Sequence, residues 1–174
     1  METEPIEREP EKEENKEIDV NEIFANAMKD PSTFSTLDID QLLDKIENET
    51  NAYLDGKSMN TITDEIYEKI NELNLRTEYA KELCSKLIGY RYVDGMNELH
   101  KGKHIRWLRT TSKEKILTNG GIVVNIKFLD NGIHVVSKNS QHFFIQIKFD
   151  ECIIFQKLSV EEQLILMAYE YIDT

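Results

Sequence analysis

The sequence predicts an α+β protein: an N-terminal helical layer followed by a small antiparallel β-barrel or curved meander, closed by a C-terminal helix. Apolar residues recur at helical spacing from Val20 to Ile88, the period changes to two between Lys103 and Leu158, and helical spacing returns after Ser159. The 174 residues are enough for one domain with a proper core, or for one domain plus a helical appendage. The divisions read from the pattern are an arm at 1–18, a helical region at 19–89 and a small barrel-like domain with its helix at 90–174.

Met1 to Ile18 holds eight Glu, three basic residues and two Pro, with almost nothing apolar. Such a segment buries too little surface to offset the entropy of ordering it, so it reads as a disordered acidic arm. Asp19 is then placed as a helix N-cap with Glu22 three residues on, and Val20, Ile23, Phe24, Ala27 and Met28 share a face. That face is narrow, and it is read either as packing within the chain or as docking on a partner. Pro31 ends the helix. A second helix is expected from Thr36 with Leu37, Ile39, Leu42, Leu43 and Ile46 as its stripe, a third from Thr61 with Ile62, Ile66, Ile70 and Leu73, and a fourth over Arg76 to Ile88.

Gly89 closes this region, and Tyr90 to Val93 with Asp94-Gly95 reads as a short strand and turn or as a connector. From Lys103 the alternation puts Ile105 and Trp107 on the core side and His104 and Arg106 on the other. Ile122, Val124, Ile126 and Phe128 then alternate with Val123, Asn125, Lys127 and Leu129. Asn131-Gly132 predicts a type I′ hairpin turn, because both central residues of that turn need positive φ. In the next strand Phe143, Ile145, Ile147 and Phe149 are assigned to the inside. Ser159 caps the final helix, Glu162 completes its capping box, and Val160, Leu164, Ile165, Ala168, Tyr171 and Ile172 form its buried side. A helix there covers an open edge or end of the sheet.

The chain has 33 acidic and 21 basic residues, a formal charge of −12, which argues against coating nucleic acid by net attraction. The charge is uneven: the net values are −13 over residues 1–88, +5 over 89–157 and −4 over 158–174. Cys84 and Cys152 read as reduced, buried thiols. No apolar run approaches the roughly 20 residues that cross a bilayer, and Met1 to Ile18 lacks a signal-peptide core, so a soluble intracellular protein is expected.

No phosphate-binding glycine loop, nucleophile elbow or zinc-spaced cysteine pair occurs, so the chain is read as non-enzymatic and without a cofactor. His100 and His104 are four apart, but Gly102 between them argues against the continuous helix a shared metal would need. His142 and Cys152 are weighed as a nucleophile pair with Asp150 as its one candidate orienting carboxylate, and a buried thiol beside a surface histidine is the preferred reading. The cations Lys101, Lys103, Arg106, Arg109, Lys113 and Lys115, interleaved with Trp107, form the candidate binding stretch for nucleic acid or a partner.

Gly102 to Leu108, Leu117 to Val124, and Lys148 to Ser159 resemble the C-terminal part of small proteins carried by nucleocytoplasmic large DNA viruses. The resemblance covers about residues 90 to 172. It implies a virion or virus-factory protein in the infected cytoplasm and transfers no catalytic or binding residue. Two functional expectations follow. The first is a non-enzymatic module that binds another protein, such as a capsid or virus-factory component. The second is nucleic-acid binding through residues 101–115, with the acidic arm as an intramolecular competitor.

Overall fold

The structure is a computed structural model that describes residues 19–36, 44 and 49–173. The acidic arm and the helix expected from Thr36 to before Asp55 fall largely outside the described residues. Four α-helices and a six-stranded antiparallel sheet are present among the described residues, so the α+β class holds. The helices are α1 (Val20–Lys29), α2 (Met59–Asn71), α3 (Thr77–Lys86) and α4 (Val160–Ile172).

Three of the four helices start where a side chain takes orphan N–H groups, and α3, after Arg76, starts without a side-chain cap. Asp19 accepts from the N–H groups of Asn21 and Glu22. Ser58 and Thr61 form a capping box, which moves the start of α2 to Met59, two residues earlier than its apolar stripe predicts. Ser159 and Glu162 form the predicted box at α4. Ala27 is fully buried, and Val20, Ile23 and Phe24 pack on the core, so α1 docks within its own chain. In α4, Leu164, Ile165 and Ala168 are buried as expected, whereas Tyr171 and Ile172 in the last turn are exposed.

The strands are β1 (Tyr90–Val93), β2 (His104–Arg109), β3 (Gly121–Leu129), β4 (Gly132–Lys138), β5 (Phe144–Lys148) and β6 (Cys152–Lys157). Their order is β1-β6-β2-β3-β4-β5. Strands β2 to β5 form a meander, and β6 returns to sit between β1 and β2. The sheet is not closed into a barrel, so the curved meander is the form adopted.

Two apolar clusters lie on its opposite faces. On the inner face Val93, Ile105, Trp107, Val123, Val135, Ile147 and Ile154 meet. On the outer face Leu108, Phe155, Tyr90 and Tyr92 pack under helix residues such as Ile62, Leu83, Leu164 and Ile165. Trp107 is therefore core, with the parity read from Ile105. The β3–β4 hairpin pairs Leu129 with Gly132, so its turn residues are Asp130 and Asn131, one position before the predicted pair. Asn131 is not in the positive-φ region; its Oδ1 instead lies 3.0 Å from His134 Nε2. A bulge between Val123 and Asn125 shifts the register of β3, which brings the buried Val123 and the half-buried Ile126 to the same inner face. Gly120, at φ +80°, is required where it stands, because a Cβ there would overlap the Ile105 carbonyl.

Candidate functional site

The outer face of the sheet is covered for only half its width. Register places Tyr90 beside Lys157, His104 beside Ile122, Ile122 beside Lys138 and Lys138 beside Phe144. Ile105 opposite Gln156 completes the row by setting His104 next to Lys157. The hydroxyl of Tyr90 lies 3.1 Å from His104 Nδ1 across that row. At the Tyr90 end the row lies under the helices. At the Phe144 end it is bare among the described residues, since no residue of β3, β4 or β5 belongs to the cluster the helices cover.

The bare half carries Ile122, Val124, Val136 and Phe144, with Phe144 67% exposed. Around them stand Asn125, Lys127, His134, Lys138, Gln146 and Lys148. The 21 residues of β3, β4 and β5 include three Lys and one His and no Asp or Glu. Lys138 Nζ sits 5.7 Å from the centre of the Phe144 ring, a cation–π contact that flattens the lysine onto the face. Lys148 pairs with Glu151 at 3.4 Å, beyond the strand end. Both ring nitrogens of His134 are engaged, with Asn131 Oδ1 and with the Gln146 amide, each at 3.0 Å. Phe143, assigned to the inside from its parity, is 65% exposed because it precedes β5 and lies in the turn.

The six cations of the predicted binding stretch do not form one surface. Arg106 donates Nε to the Thr118 carbonyl at 2.8 Å and Nη1 to the Lys86 carbonyl at 3.1 Å, tying α3 to the β2–β3 loop. Lys115 donates to the carbonyls of Thr110 and Ser112 and so closes its own loop. Lys101 and Lys103 precede β2 and Arg109 ends it, and at about 3.3 Å per residue the strand separates Lys103 from Arg109 by roughly 20 Å. Lys113 lies in the following loop. The four that remain exposed, Lys101, Lys103, Arg109 and Lys113, are thus divided between two ends of the sheet.

A buried charged cluster ties the helical layer to the sheet edge. Arg91, on β1, is 1% exposed and its Nε lies 2.7 Å from Glu162 Oε1. Its Nη2 donates to the Tyr53 hydroxyl at 3.0 Å and to the Glu98 carbonyl at 2.5 Å, and its guanidinium stacks 4.3 Å from the Tyr53 ring centre. Tyr53 gives its one proton to Glu162 Oε1 at 2.5 Å, so His100 Nε2, 2.9 Å away, donates to the same hydroxyl. Glu162 Oε2 takes the Ser159 N–H at 2.7 Å.

Burial alone would raise the Glu162 carboxyl, but Arg91, the Tyr53 hydroxyl and the Ser159 N–H hold it below its ordinary value. Burial drives the Tyr53 hydroxyl well above its ordinary value, with Arg91 opposing. Burial, then the Arg91 and Lys103 cations, lowers the His100 imidazole. A cleft of about 500 Å³ opens beside Glu162, lined also by His100, Lys103 and Asn21. Both oxygens of Glu162 are committed to partners inside the protein, so the cluster works as a lock and offers no free base to that cleft.

The remaining chemistry weighed from the sequence is dispersed. His100 bonds Tyr53 and His104 faces Tyr90, and no group of three or more metal-ligating side chains occurs among the described residues. His142 and Cys152 stand beyond opposite ends of β5. Both cysteines are free and half-buried, and burial raises both thiols. No helix among the described residues is long and apolar enough to cross a membrane. An apolar recess of about 350 Å³ between α2 and α3 exposes Ile88 and Tyr67, without a charge pattern around it.

Neither the bare face nor the lock is anticipated from sequence alone. The signals are present: Ile122-Val123-Val124 and Phe143-Phe144 place apolar residues on both parities, and Arg91 shares the buried parity of Val93. Comparison of the chain with protein-family models, with curated proteins and with solved structures finds no match in any of the three. What the geometry of the described residues defines is an α+β protein with one half of its outer sheet face sealed by helices and the other half open.

Proposed function

We propose that the protein is a non-enzymatic interaction module and that its docking surface is the bare outer face of β3, β4 and β5. The observation that supports this is the row running from Tyr90 to Phe144, sealed by helices at one end and open at the other. On this face Ile122, Val136 and Phe144 are interleaved with Lys138, Asn125 and Gln146, so a partner meets apolar area together with charged and hydrogen-bonding groups, as at non-obligate interfaces. The lock of Arg91 and Glu162 fits the same role, because it fixes the helical layer and leaves the other half of the sheet as a rigid platform. The resemblance of residues 90–172 to viral proteins makes the partner a virion or virus-factory component.

Crosslinking mass spectrometry of the protein in its native setting tests the proposal. Crosslinks to another protein are expected from Lys127 and Lys138, and Phe144→Glu is expected to abolish them. Crosslinks confined to Lys81 and Lys86, or to Lys101 and Lys103, would overturn it.

A further inference from the structure

The terminal strand β5 pairs with β4 on one side, and no described strand pairs with it on the other. Its open side can be assigned residue by residue. The Asn139 N–H donates to the Phe143 carbonyl at 3.0 Å, which marks 139 and 143 as a hydrogen-bonded pair. Antiparallel ladders alternate, so the pairs Ser137–Ile145 and Val135–Ile147 are of the same kind. Phe144, Gln146 and Lys148 therefore turn their N–H and C=O groups away from β4. Their side chains lie on the outer face with Lys138 and Lys127, while Ile145 and Ile147 point to the inner cluster.

Edges of this kind are commonly blunted by proline, by bulges or by inward-facing charges. β5 has no proline, its register with β4 is unbroken, and its one charge, Lys148, faces outward. Two exposed phenylalanines, Phe143 and Phe144, stand at its start. We infer that this edge takes an extended segment of a partner protein as a seventh strand, and that the segment alternates acidic with apolar residues. The inference rests on the interaction reading above and supplies the partner's chemistry and mode of binding.

The alternation follows from the two faces of β5. A strand laid beside it sets every second side chain next to Phe144, Gln146 and Lys148, on a face whose strands carry Lys127, Lys138 and His134 and no acid, with Glu151 pairing Lys148 just past the strand end. Opposite charges across neighbouring strands attract, so acids belong at those positions. The intervening side chains continue the inner face past Ile145 and Ile147 and are apolar. A second copy of this chain is disfavoured as occupant, because two β5 edges would bring two basic faces together.

The test uses the full chain and a fluorescein-labelled decapeptide alternating Val with Glu, read by fluorescence anisotropy, with its Lys-for-Glu counterpart as control. The acidic peptide is expected to bind and to weaken with added salt, and the basic one not to bind. Lys138 reaches over the Phe144 ring of the edge strand, so Lys138→Glu sets a negative charge beside the docked acids and is expected to lower affinity about tenfold. Gln146→Pro removes an outward N–H without touching the β4 ladder and is expected to abolish binding. Both variants are checked for native fold by circular dichroism, and amide exchange at Phe144, Gln146 and Lys148 is expected to slow in the complex.

Equal binding of both peptides, or undiminished binding by the Gln146→Pro variant, overturns the inference. So does a single-stranded oligonucleotide that protects those amides in place of the peptide. If the peptide fails while Phe144→Glu still abolishes crosslinks at Lys127 and Lys138, strand addition falls and the interaction reading stands. If the peptide binds but Phe144→Glu leaves those crosslinks intact, the interaction reading falls.

Discussion

Replacing Glu162 with Gln isolates the lock between the helices and the sheet. Glu162 is 2% exposed, and its carboxylate serves Arg91, Tyr53 and the Ser159 N–H together. Removing one partner of a buried pair costs about 3–5 kcal/mol, because the other charge stays buried without compensation. The glutamine keeps one carbonyl oxygen for Arg91 or Tyr53, so the loss belongs at about 3 kcal/mol. At about 2–4 °C per kcal/mol for a chain of this size, the midpoint of thermal unfolding falls by roughly 6–12 °C. The double variant Arg91→Met, Glu162→Gln removes the uncompensated cation and is expected to recover about 1–3 kcal/mol of it.

The same pair sets a pH dependence. The folded carboxyl titrates below its ordinary 4.5, so its stabilisation is complete above that value and is lost as pH falls through the folded pKa. His100 and His104 titrate below 6.5 in the folded state, so the unfolded chain takes up their protons first and stability declines from about 6.5 downward. The gap in midpoint between wild type and Glu162→Gln is therefore constant near neutrality and closes below pH 4.5. Differential scanning calorimetry across that range reads it. A gap under about 1 kcal/mol at neutral pH, or one that does not narrow in acid, would show that the cluster does not hold the layers together.

Other substitutions separate scaffold from surface. Phe144→Glu, at an exposed site, is expected to change stability by no more than about 0.5 kcal/mol in chemical denaturation, as are Lys101→Ala and Lys113→Ala. Arg106→Ala releases two carbonyls and is expected to cost about 1.5–3 kcal/mol by the same assay, which sets it apart from the exposed cations around it. Gly120→Ala places a Cβ against the Ile105 carbonyl at positive φ and is expected to cost more than about 1–3 kcal/mol, visible as a lower denaturation midpoint.

The fold class was legible because both periods were: the i, i+4 stripe of Ile62, Ile66 and Ile70 and the alternation of Ile105 with Trp107 each survive into the structure. Caps were legible for the same local reason, as Asp19 and Ser159 show. Position in the sheet was not. Nothing local in Cys152 to Lys157 says that the strand crosses back between β1 and β2, and that crossing decides which half the helices seal. The turn slipped one residue at Asn131-Gly132 because the pairing of Ile126 with Val135 on the inner face outweighed the turn preference. The cations of residues 101–115 looked like one patch because sequence proximity hides that a strand is about 3.3 Å per residue and that carbonyls compete for cations. Glu162 was read as a cap, which it is; its second role depends on Arg91, 71 residues away in the chain.

The most direct measurement places a photo-crosslinking amino acid at position 144, on the bare face, and in a parallel variant at position 116. Ile116 is as exposed as Phe144 but lies in the β2–β3 loop, off that face. A crosslinked partner from position 144 and none from position 116 is the predicted result. Equal capture from both positions, or capture from 116 alone, would contradict the assignment of β3, β4 and β5 as the docking surface.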